Sequence, residues 1–546
     1  MANNLQIFER KDFTGGINYS SDQFQLSENE SPSLLNIEID PRGGFFSRGG
    51  MNRINSTNIS GTWAPQKLFP FNGDAKRIIM TTTTRVYKGS GGNMTTLDFG
   101  SGTPIVSAAT QGSSCAQWGN TLYISTGRAG TLGGYSWKTG DTYATRVSQS
   151  GTTVGADLLW QTTADASQHK MPQCEHLAVH ADKMFAANTL ETGIDYPNRL
   201  RWSIDGTADN WIISDYIDIS GGGDGITAIV TVQGQLLIFK PQAIYALIGY
   251  DSTNFQIVEL SHSIGVKDAN SVVASDIGVF FYTNGVGVYY YNGSIIQDVF
   301  AKIKPIFDLA YVNFAATGNV SVSWINQRLW LSLPYSESGI AATDITKNFV
   351  YNPRFGAWTV IDTADNYGVM GGCEFIDDSN VKYFLMLHPT VPVILSVDDY
   401  DYETDSITTY NTPQTFVSYY RTKWYDGGTY MQSKMWKRND FVARESAVDQ
   451  DIDISVYRNF DEVNIFKSFT LNQTSTASML WNINLWNNAI NSYFSSWSSS
   501  VAGATILAGK NLGLARCVQI QINGPAGTPW GINSLGFKYI PKRVKA

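Results

Sequence analysis

Short runs of alternating apolar and polar residues recur from about Pro70 onward, and turn-forming residues bound each run. The segment RIIMTTTTRVYKG at Arg77 to Gly89 holds two such runs, and NTLYISTG at Asn120 to Gly127 repeats a polar turn followed by an alternating strand. Alternation with a period of two is typical of a β-strand with one buried face. The sequence therefore predicts many short strands joined by tight turns.

These strand pairs return at a regular spacing. One aromatic residue marks the centre of each unit: Tyr87, Tyr123, Phe185, Phe239, Phe281, Trp330 and Phe384. Consecutive centres lie 36 to 62 residues apart, and a four-stranded propeller blade takes roughly 40 to 50 residues. We therefore expect an all-β protein with a β-propeller of about six degenerate blades. A pair of stacked β-sandwiches is the rival interpretation, because their strands also follow one another through hairpins.

The segment YTNGVGVYYYNG gives the clearest local signal for a meander. Asn284-Gly285 and Asn292-Gly293 are dipeptides that favour two-residue hairpin turns with positive φ at both central positions. Directly afterwards, the stretch from Val299 to Ala316 spaces its apolar residues as a helix does, with Pro305 near the first turn, where proline is tolerated. The sequence predicts two consecutive hairpins and then a short helix that links two blades.

Longer alternating strands begin at about Thr415 and continue to a basic C-terminal tail. The length of these strands and their alternation of apolar and polar residues favour a separate C-terminal β-sandwich, or platform. We therefore divide the chain into an N-terminal arm with a short helix and strand at 1–60, a propeller at 61–414 and a sandwich at 415–546.

The composition agrees with a large folded protein. Of 546 residues, 43% are hydrophobic, 13% aromatic and only 16% charged, which argues against disorder and favours one large domain with a smaller one. We find no apolar run with the length of a signal peptide core or a membrane span. The cysteines lie far apart without a CxxC pair, so we expect small buried residues: Cys115, Cys174, Cys373 and Cys517.

Candidates for catalysis or metal binding are few. His176 and His180 are four residues apart in CEHLAVHADK, but on a strand they lie too far apart for a small zinc site, so we expect them to be structural. The acidic run DDYDYETD at Asp398 to Asp405 lacks the glycine and spacing of an EF-hand, and we expect a solvated hinge rather than a calcium site. Phosphate-loop, nucleophile-elbow and dinucleotide-binding motifs are absent. We predict no enzyme activity, no cofactor and no metal.

One C-terminal stretch, SMLWNINLWNNAINSYFSSWSSS, is crowded with aromatic residues, among them Trp481 and Trp486. Core packing is the first interpretation, and a subunit interface is the second, since tryptophan and tyrosine are enriched at interfaces. A carbohydrate-stacking surface is a third.

The opening of the chain differs from the repeats. It runs FTGGIN from Phe13, then LSENESPSLLNIEID and then PRGGFFSRGG, which ends in Arg48-Gly49 before its last glycine. This order of a glycine pair, a short helix with an Asn before a strand, and a strand ending at an arginine resembles the opening of tail nozzle proteins of short-tailed bacteriophages, also called tail tubular protein B. Further similar segments are His180 to Trp211, INQRLWLSLPY and LWNINLWNNA.

The resemblance implies a structural virion protein that is assembled in the host cytoplasm. In this family a β-propeller with an added β-rich platform forms a ring, expected here to be a homohexamer, at the distal end of the tail. The nozzle retains and then conducts genomic DNA during ejection. The implied partners are further copies of the chain, a tail adaptor or tube protein, and tail fibres or spikes.

The net charge of −8 fits a conduit better than a DNA-binding protein. Gripping a phosphate backbone requires lysine and arginine side chains that release counterions. A wall of like charge repels the duplex, and confinement strengthens that repulsion. We therefore expect double-stranded DNA to pass without specific binding.

The arm itself is expected to take part in assembly. Ser27 and Glu30 have the spacing of a capping box, which predicts a short helix from Glu28 to near Asn36. Gly15 and Gly16 permit a close backbone approach or a positive φ. Such an arm would cross to the platform or to a neighbouring subunit and cover a strand edge there. The candidate assembly residues are Phe13, Gly15, Gly16, Asn36, Trp481 and Trp486.

Two other functions remain open from the sequence. One is a receptor-binding or adaptor propeller at the tail tip that contacts host glycans through exposed tryptophans. The other is a glycosidase. Its chemistry requires two carboxyl groups about 5 to 10 Å apart, and no sequence pattern reveals such a pair.

Overall fold

The computed structural model describes residues 5–542 apart from 92, 100–101, 106–112, 129–132, 147–170, 192, 209, 224, 309–310, 314–319, 337–343, 400–403, 408–411, 445, 447 and 474–504. The described part is almost entirely β-structure. It contains one α-helix, α1 (Pro305–Asp308), and two 3-10 helices, η1 (Ala269–Ser271) and η2 (Ala301–Ile303). Within it, no helix has the length and apolar character needed to span a bilayer.

The first seven strands belong to the N-terminal arm. They are β1 (Gln6–Arg10), β2 (Gly16–Ile17), β3 (Glu30–Ser31), β4 (Ser33–Leu35), β5 (Ile37–Ile39), β6 (Phe45–Ser47) and β7 (Gly50–Arg53).

The middle of the chain folds into successive antiparallel meanders. The strands of its first half are β8 (Pro65–Asn72), β9 (Lys76–Thr82), β10 (Val86–Gly89), β11 (Met94–Thr96), β12 (Asp98–Phe99), β13 (Thr103–Pro104), β14 (Ser114–Trp118), β15 (Thr121–Ser125), β16 (Gly134–Lys138), β17 (Thr145–Arg146), β18 (Gln173–His180), β19 (Lys183–Glu191), β20 (Ile194–Ser203) and β21 (Trp211–Asp218). Those of its second half are β22 (Ala228–Val232), β23 (Gln235–Phe239), β24 (Ile244–Ile248), β25 (Gln256–Ser261), β26 (Val272–Ala274), β27 (Val279–Thr283), β28 (Gly287–Tyr291), β29 (Ile296–Asp298), β30 (Ser321–Ile325), β31 (Arg328–Leu333), β32 (Lys347–Asn352), β33 (Ala357–Ile361), β34 (Met370–Ile376), β35 (Lys382–Leu387) and β36 (Ile394–Asp399).

In the described residues these strands, apart from β12 and β13, which pair with each other, make seven four-stranded antiparallel sheets, where about six blades were predicted. We number them in chain order: sheet 1 (β8–β11), sheet 2 (β14–β17), sheet 3 (β18–β21), sheet 4 (β22–β25), sheet 5 (β26–β29), sheet 6 (β30–β33) and sheet 7 (β34–β36 with β7). Each of the seven aromatic centres found in the sequence lies in a different sheet. Strand β7 of the arm pairs antiparallel with β36, with Arg53 opposite Leu395 and Asn52 opposite Ser396, and so completes sheet 7.

The sheets are arranged as a β-propeller, and hydrophobic clusters between neighbours hold them together. The first strand of each sheet contacts the first strand of the next, and that of sheet 7 contacts that of sheet 1, which closes the ring. Between sheets 7 and 1, for example, Phe375 and Leu385 pack with Leu68 and Met80. Burial of such apolar surface is the main favourable term in folding. Each sheet in the ring therefore buries apolar side chains against two neighbouring sheets.

The C-terminal strands form two stacked sheets. They are β37 (Tyr419–Arg421), β38 (Lys434–Ala443), β39 (Gln450–Arg458), β40 (Lys467–Gln473), β41 (Thr505–Ala515), β42 (Val518–Asn523) and β43 (Gly531–Pro541). One sheet has the order β4-β37-β42-β39-β40, and the other has the order β41-β38-β43-β6-β5, with β1 also paired to β43. The two apolar faces, with Ile454 and Ile522 on one and Phe441 and Leu535 on the other, belong to one core cluster.

The arm thus supplies four strands to the sandwich and one to the propeller. Phe13, Ile17, Leu34 and Phe45 lie in the sandwich cluster, which continues without a break into sheets 5 and 6 of the propeller. The two bodies therefore share one hydrophobic core through the arm.

Two local predictions need correction, and a third is confirmed in part. The helix expected from Glu28 to Asn36 does not form, and strands β3 and β4 take its place. Ser27 and Glu30 nevertheless make half of the capping contact, because the Ser27 N–H donates to Glu30 Oε2 at 3.1 Å. Pro32 explains the outcome: a residue before proline is disfavoured in the α conformation, and here that residue is Ser31.

The two Asn-Gly hairpins are present, but with longer loops than predicted. Thr283 pairs with Gly287, which leaves a three-residue loop in which Gly285 has φ 72°. Tyr291 pairs with Ile296, which leaves four residues in the second loop. The linking helix is confirmed in part, since α1 begins at Pro305 after η2.

Candidate assembly site at the junction of the two bodies

Phe13 lies in the core of the sandwich. Its side chain is 1% exposed and meets the rings of Phe45 and Tyr420 edge-on, with centroids 5.1 and 5.5 Å away. Phe45 and Tyr420 are themselves stacked at 4.3 Å. Edge-to-face and offset-stacked pairs are the favoured aromatic geometries. This residue therefore anchors the start of the arm within its own chain.

Gly15 and Gly16 bring the arm against two different backbones. A Cβ at Gly15 would lie 2.5 Å from the carbonyl oxygen of Asn29, and a Cβ at Gly16 would lie 2.5 Å from that of Trp358 in β33. Gly16 also has φ 67°, a conformation that glycine adopts without strain. The glycine pair therefore serves both purposes expected of it, a close approach and a positive φ, and its partner is sheet 6 of the propeller.

The arm also contacts the connection between sheets 5 and 6. Lys302 Nζ in η2 donates to the Gly15 carbonyl at 2.9 Å and lies 3.2 Å from Glu30 Oε1. Burial alone would raise the pKa of Glu30, but hydrogen bonds from Asn18 and Ser27 and the charge of Lys302 outweigh it and hold the pKa below its usual value. Glu30 is therefore a charged tether between arm and propeller.

Asn36 joins all three parts of the molecule. Its buried amide donates to Asp362 Oδ1 of sheet 6 and to the Val417 carbonyl at the start of the sandwich, both at 2.7 Å. Its oxygen accepts from Arg48 Nε and from the Asp362 N–H, both at 3.0 Å. With φ 55°, the residue adopts a left-handed conformation that asparagine tolerates better than most residues.

Arg48 forms a buried ion pair next to Asn36. Its Nη1 and Nη2 donate to the two carboxylate oxygens of Asp405 at 2.8 and 2.7 Å, and both side chains are at most 2% exposed. The Met51 and Ala364 N–H groups also donate to Asp405. Because a buried carboxylate is costly unless its lone pairs are satisfied, this complete set of partners makes Asp405 stable at the junction.

A second buried group stands beside the first. Arg328 of β31 pairs with Asp398 and lies 3.4 Å from Glu38 of the arm. Asp398 and Asp405 are the ends of the acidic run, and both are buried. The solvated hinge predicted for this run is therefore wrong at its two ends, which fasten the arm to the propeller instead.

The other candidate residues from the sequence do not contribute to this junction in the described part of the chain. Trp481 and Trp486 lie outside the described residues. His176 and His180 are buried in β18, and burial lowers the pKa of both rings. The described residues hold no group of three or more His, Cys, Asp or Glu side chains placed to share a metal ion.

A hydrogen bond crosses the centre of the propeller. Asn270 Nδ2, in η1 before sheet 5, donates to Gln66 Oε1 in sheet 1 at 2.6 Å, and both side chains are buried. Sheets 1 and 5 are not neighbours in the ring, so this bond spans the middle of the disc. Sequence patterns gave no sign of it.

Comparisons with known proteins identify no family. No family model and no curated protein matches the chain. Among solved structures, the extracellular domain of BT4673 from B. thetaiotaomicron, described as a hybrid two component system, is 11% identical over 73% of this chain and 43% of that one, with a TM-score of 0.39. The chain therefore spans less than half of that protein. BBS1N, solved in complex with ARL6DN, is 10% identical over 64% of this chain and 98% of that one, with a TM-score of 0.38.

Proposed function

We propose that this chain is a non-enzymatic structural protein of a bacteriophage tail, which assembles as a ring-shaped nozzle at the distal end. One observation supports this most. The residues that carry the resemblance to nozzle proteins, from Phe13 through Gly16 and Asn36 to Arg48, converge on the junction between propeller and sandwich. A nozzle subunit needs such a junction, because DNA pressure would otherwise separate its two bodies.

We further propose that the seven sheets are the blades of a seven-bladed propeller. The closed ring of contacts between first strands supports this count, as does the closure of sheet 7 by β7 from the arm. Closure by a strand from the other end of the sequence removes an open sheet edge and ties the ring shut.

The path of DNA in this proposal runs between copies of the chain and not through one propeller. The Gln66 to Asn270 hydrogen bond joins two sheets across the centre of the disc, where it would obstruct the passage of a duplex. A homohexamer would surround a common lumen. It would carry six times the net charge of −8, which disfavours retention of a passing duplex.

The deciding experiment is the mass and shape of the purified protein in solution. Light scattering after size exclusion, with and without a tail adaptor protein, should show a hexamer, and negative-stain images should show rings with an open centre. A species that remains monomeric under both conditions would contradict the proposal. So would a virion map that places the chain away from the path of the genome.

A further inference from the structure

A cleft lies where the hairpin of β5 and β6 in the arm meets sheets 5 and 6 of the propeller. Its volume is about 420 Å³, and its walls combine aromatic rings with polar side chains. That volume falls within the range of roughly 300 to 1,000 Å³ typical of small-ligand sites. Neither the assembly of a ring nor the passage of DNA gives this cleft a purpose.

The aromatic part of the cleft is held in a fixed orientation. Trp324 of β30 lines the cleft and stacks on Phe280 of sheet 5, with centroids 5.4 Å apart and planes 15° apart. Phe280 stacks in turn on Tyr290 at 4.7 Å. Because this column ties two sheets together, Trp324 offers a rigid surface whose placement costs little entropy on binding. Phe355 lines the same cleft.

Several polar groups around this surface have hydrogen-bonding capacity to spare. Within the described residues, the side chains of Gln327, Arg354 and Asp276 and the indole N–H of Trp324 form no hydrogen bond with protein. Together they offer amide, guanidinium and indole donors and amide and carboxylate acceptors. A ligand rich in hydroxyl groups, each both donor and acceptor, suits such a mixed set.

The cleft has no surplus of positive charge. Arg328 is already paired with Glu38 and Asp398, which leaves Asp276 and Arg354 as one charge of each sign. A phosphate or nucleic acid ligand would meet no net positive potential here. An uncharged polyol needs no positive potential, and the weakly positive C–H faces of its rings can pack on the negative face of an indole.

The geometry points to a binding site for a short neutral oligosaccharide in this cleft, with Trp324 as the stacking surface and Gln327, Arg354 and Asp276 as its hydrogen-bonding partners. This site goes beyond the proposed nozzle and does not depend on it, because a monomer would also present it. At a tail tip, it would give the particle a contact with the sugar coat of its host.

The test uses the full chain, a microarray of bacterial O-antigen and capsule oligosaccharides, and maltohexaose, cellohexaose and chitohexaose as soluble probes. The strongest neutral binder is then titrated calorimetrically against wild type and two double variants. Gln327→Ala with Arg354→Ala removes two exposed side chains of the cleft, of which Arg354 lies over the ring of Phe355 at 5.5 Å. Gln256→Ala with Arg516→Ala removes the same residue types from exposed positions elsewhere.

We expect the cleft variant to bind about tenfold more weakly, the loss of roughly one hydrogen bond to a charged group, and the control to bind as wild type does. Trp324→Phe should also weaken binding while keeping the stack on Phe280. Absence of any neutral oligosaccharide binding, or equal binding by both double variants, would overturn the inference. So would a cleft variant that fails only in ring assembly, since the cleft would then receive a second copy of the chain. Light scattering separates that result from a loss of sugar binding.

Discussion

Asn36 makes four hydrogen bonds through one buried amide, to the arm, the propeller and the sandwich. Asn36→Ala would leave Asp362, Arg48 and the Val417 carbonyl short of partners in a buried place. A buried group left unsatisfied costs about 1–3 kcal/mol, so we expect the free energy of unfolding to fall by about 3 kcal/mol or more. Urea unfolding followed by tryptophan fluorescence measures this loss.

Asn380→Ala is the matched control for this substitution. Asn380 has φ 62°, close to the φ of Asn36, but it is exposed. The control therefore carries the same backbone strain without the buried hydrogen bonds. Equal losses in the two variants would show that φ alone accounts for the effect and that the junction network adds nothing.

We expect Asp268 to make the stability of the protein depend on pH. Its carboxylate caps η1 by accepting the Asn270 and Ser271 N–H groups, yet burial dominates and raises its pKa from 3.8 to about 6. A raised pKa in the folded state means that the contribution to stability is complete below about pH 3.8 and is lost as the pH rises through about 6.

Asp268→Asn keeps a good N-cap and removes this titration. We expect the variant to be more stable than wild type by about 1–3 kcal/mol at about pH 8, with the gain shrinking towards zero near about pH 3. Urea unfolding of both proteins at the two pH values measures it. A gain that is the same at both would mean that Asp268 does not titrate in this range.

At the scale of single residues, the sequence predicted special backbone conformations but not which distant side chains form hydrogen bonds or ion pairs. A glycine pair predicts a close backbone approach or a positive φ, and Gly15 and Gly16 show both features between them. Nothing in the sequence connects Arg48 with Asp405, which lie 357 residues apart. A buried ion pair is selected by geometry that only the assembled fold creates, so its partners cannot be read from local patterns.

The arm is fastened to sheet 6 at Gly16, and this fixation can be tested separately. In Gly16→Ala, the new Cβ would meet the Trp358 backbone at 2.5 Å, and backbone yields less readily than a flexible side chain. We expect a loss of about 1–3 kcal/mol from overpacking, in addition to the cost of placing alanine at φ 67°. Thermal unfolding of the variant measures the sum.

Gly285→Ala separates the cost of overpacking from the cost of placing alanine at a positive φ. Gly285 has φ 72°, and a Cβ there would meet nothing within 4 Å, so only the strain remains. The melting temperature of Gly16→Ala should therefore lie clearly below that of Gly285→Ala. If the two coincide, the arm does not press on sheet 6.

Element types followed from the sequence more readily than their ends. Period-two alternation identified the strands because one face of each strand is buried whatever its neighbours are. Turns were less predictable. Ala181 and Asp182, with φ 45° and 56°, and Asn326 and Gln327, with φ 50° and 56°, make two-residue hairpin turns without the expected Asn-Gly signal. There the pairing of the flanking strands compensates for the strain, and tertiary structure overrides local preference.

The number of sheets could be predicted from the sequence better than the origin of each strand. Seven aromatic centres correspond one to one with seven four-stranded sheets, although about six blades were predicted. The fourth strand of sheet 7 comes from β7, more than 300 residues before its neighbour β36. The sequence spacing found sheet 7 through Phe384, but it gave no sign that the arm supplies the fourth strand.

Because the arm completes both bodies, the propeller and the sandwich should unfold together. The core cluster runs from the sandwich through Phe13, Ile17 and Phe45 into sheets 5 and 6. Scanning calorimetry of wild type should therefore show one main transition, since neither body keeps its core once the other is lost. Asn36→Ala, which cuts the hydrogen bonds at the junction but leaves both cores intact, should broaden or split it. A wild-type scan with two well-separated transitions would mean that the arm merely tethers two independent domains, and a nozzle wall built from such a subunit could not hold its two layers in register under the pressure of a packaged genome.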